Sequence, residues 1–222
     1  MKKVFSLLIL ILVIGYSFTL IACSDKNREY KTEINSSDVA KFTLFTFDGE
    51  GEGKLGLMNL GHAFVSVENI SDKNISILNK KIAPNETISI GTWSILEHFG
   101  VWYNVESNYI VQHDKYNGRL SITTGISEED IETLSKFISS HDRWNPLFNC
   151  SNFALNLWDT VATDTEYIDK PLIYTPSYIA KIISKFDNHE KNKAIPTEDT
   201  MGYFDGSKYV SFQIEGDNYE SV

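Results

Sequence analysis

Cysteine is scarce in this chain: the 222 residues contain two, Cys23 and Cys150. Two thiols exclude a disulfide-stapled scaffold and a cysteine-rich zinc cluster. Basic residues are also in short supply, 20 against 30 acidic, for a formal net charge of −10. That balance argues against nucleic acid as a partner and against a polybasic membrane patch. No internal repeat occurs. The Gly/Glu-rich stretch at residues 48–56 lacks the Lys-Ser/Thr pair and following helix of a phosphate cradle. The five histidines, His62, His98, His113, His141 and His189, lack the paired spacing of metal ligands. No metal or cofactor is expected.

Long apolar runs are missing as well, except at the start. Lys2 and Lys3 precede an apolar core from Val4 to Ile14 and on to Phe18, followed by Leu20-Ile21-Ala22-Cys23. This order reads as a secretory signal ending in a lipobox, with a small residue before a cysteine that accepts diacylglycerol. An uncleaved anchor is the alternative, since residues 4–22 are just long enough to span a bilayer, but an anchor has no use for the cysteine. Residues 1–22 are therefore expected to be a signal peptide. Lipidation falls on Cys23, residues 23–38 form a polar tether, and residues 39–222 form one domain outside the cytoplasmic membrane. Two or three acyl chains anchor durably where one does not. Loss of Lys2 and Lys3 takes the formal charge from −10 to −12. With a lipobox present, the sequons at Asn69, Asn74 and Asn85 read as turns.

The domain's pattern starts as β. Phe42-Thr43-Leu44-Phe45-Thr46-Phe47 forms a first strand, and strands follow at residues 62–67, 75–78, 87–90 and 101–105, separated by turn residues. At Ser127 the period changes. Ser127 can cap a helix with Glu128, Glu129 and Asp130 in its first turn and Ile131, Leu134 and Ile138 on one face. A second helix starts near Cys150 and buries Phe153, Ala154, Leu157 and Trp158. A third follows Thr175-Pro176, with Ile179, Ile182, Ile183 and Phe186 inward. A terminal hairpin turns at Asp205-Gly206. Strands and helices segregate along the chain, so the expected class is α+β, a small antiparallel sheet with packed helices.

Cys150 is the residue with chemistry to offer. The unpaired N–H groups of a helix's first turn favour thiolate over thiol. An ordinary thiol, with a pKa near 8.5, is only about 3% ionised at pH 7. If Cys23 is acylated, Cys150 has no disulfide partner; a Cys23 to Cys150 bridge is the competing assignment. A thiol needs a base, and His62, opening an apolar strand after Gly61, is the best placed. His98 sits beside Glu97 in an expected loop, and His113, His141 and His189 lie in polar stretches that read as solvated.

Gly61-His62-Ala63-Phe64-Val65, followed later by Asn149-Cys150-Ser151-Asn152-Phe153, resembles the circularly permuted branch of the papain-like superfamily. That branch includes NlpC-type peptidase relatives and lecithin retinol acyltransferase. The resemblance spans roughly residues 42–158, and its specific content is these two motifs. It implies a permuted papain-like fold with a catalytic cysteine at a helix N-terminus and histidine before cysteine in the chain. It also implies a third polar group on a later strand that orients the histidine. Glu106, read as a strand-end carboxylate, fits best; Asn104 comes second, and Glu97 and Asn74 remain open. An extra hairpin across residues 75–90 departs from the family pattern.

The expected chemistry is attack by Cys150 on an amide or ester carbonyl, with His62 passing the proton to the leaving group. Location and resemblance point to a cell-wall peptide; an acyltransferase or lipid amidase is the rival. A non-catalytic surface lipoprotein using the same fold as a binding module is the other class. Contact between Cys150 and His62 separates the two. Trp93, Trp102, Tyr103 and Trp144 can line a groove, though such aromatics are more often core.

Overall fold

The computed structural model describes residues 32–49, 61–162, 174–196 and 200–212. The expected signal peptide at residues 1–22, Cys23 and most of the Gly/Glu-rich stretch lie outside the described residues. Within them the protein is mixed α+β. Ten strands occur: β1 (Ala40–Phe47), β2 (His62–Asn69), β3 (Ile75–Ile77), β4 (Lys80–Ile82), β5 (Thr87–Ile95), β6 (His98–Tyr103), β7 (Leu120–Ile126), β8 (Glu190–Lys191), β9 (Met201–Phe204) and β10 (Tyr209–Phe212). The described residues form four helices, α1 (Val105–His113), α2 (Glu128–Ser140), α3 (Cys150–Ala162) and α4 (Pro176–Ile183).

The sheet is larger than expected. Eight strands run in the order β10-β9-β6-β5-β2-β1-β7-β8, with every neighbouring pair antiparallel. Period-two alternation divides β1 between two layers. Ala40, Phe42 and Leu44 belong to a core shared with the helices, while Phe45 stacks on Phe64 on the opposite side, centroids 4.8 Å apart. On the helix side, α3 presents Phe153, Ala154, Leu157 and Trp158 to the sheet, and Trp158 stacks on Phe42 at 5.4 Å. Burying each such large side chain contributes about 1.5–3 kcal/mol.

Local chemistry sets the helix ends. Ser127 and Asp130 form a reciprocal capping box at α2. Thr175 caps α4, with Pro176 just inside it. Asn149 accepts the Asn152 N–H at 3.0 Å at the start of α3.

Several expectations need correction. The strand expected at 101–105 is β6 and ends at Tyr103; Asn104 then adopts a left-handed conformation (φ 61°) and starts α1, so Glu106 lies in a helix's first turn. The supposed extra hairpin is only β3–β4, a separate two-stranded sheet, and β5 pairs directly with β2. No helix among the described residues is long and apolar enough to cross a membrane.

Candidate active site

The ladder between β2 and β5 covers only Val65–Glu68 on the β2 side. At His62–Phe64 those two strands no longer pair, and the start of α3 meets β2 at this opening. The Ala63 N–H lies near enough to the Cys150 sulfur there to favour its anion. His62, one residue earlier, lies near enough to the same sulfur for each to favour the other's charged form. Two motifs 88 positions apart in the chain thus meet at one strand end.

The other side of the imidazole is occupied. His62 Nε2 lies 3.0 Å from Glu106 Oε1, which leaves Nδ1 for the sulfur. Glu106 is fully buried, and a buried carboxylate must be satisfied. Trp93 Nε1 donates to its Oε1 at 2.7 Å and Ser89 Oγ to its Oε2 at 2.9 Å. The seat depends on a missing side chain. A Cβ on Gly91 would come within 1.9 Å of Glu106 Oε1, closer than any real contact, so only glycine admits the carboxylate.

The charges within the site are coupled. Burial works against an imidazolium, but the Cys150 charge and hydrogen bond, reinforced by Glu106, raise the His62 pKa to about 9. Burial likewise opposes a thiolate, yet His62 outweighs it and the Cys150 pKa falls below the ordinary thiol range. The Ala63 N–H helps. So does the Ser151 hydroxyl, which has no partner at ordinary hydrogen-bonding distance but is near enough to the sulfur to favour its anion. The two shifts favour the thiolate–imidazolium form of the pair over the neutral one. Cys150 is a free thiol, closely surrounded by protein yet with part of its surface in solvent.

Cys150 is the first helical residue of α3. With the Asn152 N–H taken by Asn149, the N–H groups of Cys150 and Ser151 are the first-turn donors left to an anion. A tetrahedral oxyanion formed on the sulfur's substrate would develop beside them.

The other proposed third members lie elsewhere. Asn104 is buried but structural: its Oδ1 accepts the Ser89 N–H and its Nδ2 donates to the Thr200 carbonyl. Glu97 is exposed in the β5–β6 turn, and Asn74 is exposed before β3. His98 is not in a loop; it opens β6 and pairs with Asp142 at 2.7 Å. His141, expected to be solvated, stacks on Phe137 at 3.9 Å. Trp102 and Tyr103 are core, and Trp144 is partly exposed. Trp93 belongs to the site, and sequence reasoning did not separate it from core aromatics. The signal was available only as Gly91 and Trp93 on alternate positions of one strand.

A groove of about 400 Å3 runs along α3 between Asn152, Asn156, Asp159, Phe137 and Tyr174. Its α3 residues lie on the side turned away from the sheet, so it is separate from the sulfur. No family model matches this chain, and neither a curated protein nor a solved structure does.

Proposed function

We propose that this protein is a thiol hydrolase of permuted papain-like type that cleaves an amide bond through Cys150, His62 and Glu106. The observation that carries the reading is the continuous Cys150–His62–Glu106 contact around one imidazole. Cys150 thiolate attacks the carbonyl, and the Cys150 and Ser151 N–H groups bind the oxyanion. The His62 imidazolium gives its proton to the leaving amine, then takes one from water to release the acyl group. Glu106 keeps the ring aimed and its charge balanced.

A cell-wall peptide is the preferred substrate, and the proposed lipid on Cys23 supports it. The tether enters β1 at Ala40, which pairs with Asn69, whereas His62 pairs with Phe47 at the strand's other end. Seven residues of strand, about 23 Å, separate the two ends. An anchored domain with this polarity can direct the site towards the wall. One observation favours an acyl substrate instead. Leu96 in the β5–β6 turn and Phe99 at the start of β6 are exposed, and a second loop, joined to β6 by the Trp144 N–H to Phe99 carbonyl hydrogen bond, exposes Leu147 and Phe148. The second loop leads into Cys150.

The test is to incubate the protein with purified cell-wall peptides and, separately, with N-acyl amides, and analyse products by mass spectrometry. Cleavage of the peptides by wild type but not by Cys150→Ala supports the main reading. Cleavage of only the N-acyl amides selects the second. Failure of Cys150 to form an acyl-enzyme with any activated ester overturns both.

A further inference from the structure

The turn between α1 and β7 contains a residue with an unfavourable backbone. Tyr116 has φ 58°, in the left-handed region that glycine or asparagine adopts readily and an aromatic residue seldom does. Something must hold it there. Arg119, only 5% exposed, donates from its backbone N–H and Nη1 to the Tyr116 carbonyl. Its Nε and Nη2 reach the carbonyls of Lys193 and Asn192, while Asn192 Oδ1 takes the Gly118 N–H at 2.7 Å. These side-chain bonds go to main-chain oxygens rather than to a carboxylate. A buried guanidinium used this way is a costly strut for an ordinary turn.

The strut points at the site. The Tyr116 ring stacks on His62, centroids 5.6 Å apart and planes 20° from parallel. Trp93 lies on the same imidazole at 4.4 Å, and its own further ring partner is Tyr109. Phe47 and Phe64 brace Tyr116 from its other sides.

We propose that Tyr116, locked in its strained conformation by Arg119, is a positioning residue whose ring clamps His62 against Trp93 and holds the imidazole in line with Cys150. The inference rests on the Cys–His reading given above. The titratable groups facing His62 are Cys150 from α3, Glu106 from α1 and Tyr116 itself, with Tyr109 of α1 behind Tyr116. Without the clamp the imidazole can turn away and admit water, and the sulfur loses the cation that keeps it ionised.

The experiment measures alkylation of Cys150 by iodoacetamide from pH 4 to 10 on intact protein, with peptide mapping to assign the label. Tyr116→Gly is the informative variant, because glycine accepts the left-handed backbone and removes only the side chain. Its thiol profile should move at least one pH unit towards the ordinary range, about tenfold slower labelling below the midpoint. Tyr116→Phe should restore the wild-type profile to within about twofold, and Arg119→Met should shift it in the same direction as glycine. Should Tyr116→Gly fail to fold, Tyr116→Asn tolerates the same backbone and replaces it. An unshifted profile in the folded glycine or asparagine variant overturns the clamp. A loss in Tyr116→Phe equal to that in glycine also overturns it, by assigning the effect to the hydroxyl. If wild-type Cys150 itself titrates near 8.5, it is the hydrolase reading that fails.

Discussion

The sheet carries two histidine–carboxylate pairs, and their surroundings make them different devices. His62 bonds Glu106 at 3.0 Å and His98 bonds Asp142 at 2.7 Å. Each carboxylate sits against a glycine, Gly91 or Gly100, whose Cβ would collide with it. The difference lies at the far side of the ring. His62 meets a sulfur; His98 meets the ring of Tyr203, stacked at 5.0 Å. Asp142 also accepts the Val101 N–H at 2.8 Å, so the second pair fastens residues 142–148 to β6. A histidine paired with a buried carboxylate is thus an orienting unit, and under the proposed function the third neighbour decides whether it does chemistry.

The largest break in the comparison is Cys150→Ala. Turnover of any substrate found should disappear while the circular dichroism spectrum stays native. Next is Glu106→Gln, which removes the charge that balances the imidazolium. We expect kcat/KM to fall on the order of 10²-fold, measured at pH 7. Gly91→Ala should produce a comparable loss from a residue that touches no substrate, together with destabilisation of about 1–3 kcal/mol in urea denaturation, because its methyl group evicts Glu106. At the second pair, Asp142→Asn should leave turnover within a few fold and cost about 1 kcal/mol of stability. Activity loss there as large as in Glu106→Gln would erase the distinction between the two pairs.

The smallest effect concerns pH. The His62 pKa is raised in the fold, so its contribution to stability is fully present below the unfolded value of 6.5 and is lost as pH rises through about 9. Proton donation by the imidazolium should likewise give turnover an alkaline limb near 9. Cys150→Ala removes the largest influence raising that pKa and leaves burial opposing the charge. NMR titration of the His62 ring should therefore show a lower midpoint in the variant than in wild type.

The site was more legible in the sequence than the fold around it. His62 and Cys150 stood out because strand and helix starts carry local signals, and Glu106 was the best fit to the third group that the family resemblance implied on a later strand. Its setting did not follow, because the β pattern of Val101-Trp102-Tyr103 masked a helix that begins only after Asn104 turns left-handed. The alternation in β7 was overlooked, and the two-residue β8 has no local signal at all. The central place of β1 between β2 and β7 arises from long-range pairing. So do the contacts of Gly91, Trp93 and Tyr116, each ordinary in its own neighbourhood and defined only by what the fold brings against it.

The meeting of α3 with the open end of β2 has a consequence for the life of the chain. The sulfur's reactivity is lent by a histidine 88 residues upstream, so an unfolded or half-assembled molecule carries a thiol no more aggressive than free cysteine. The shift of the thiol depends on that docking and not on the sequence around Cys150 alone. Its alkylation rate at mildly acid pH should accordingly serve as a clock for native assembly, rising only as α3 settles onto the sheet.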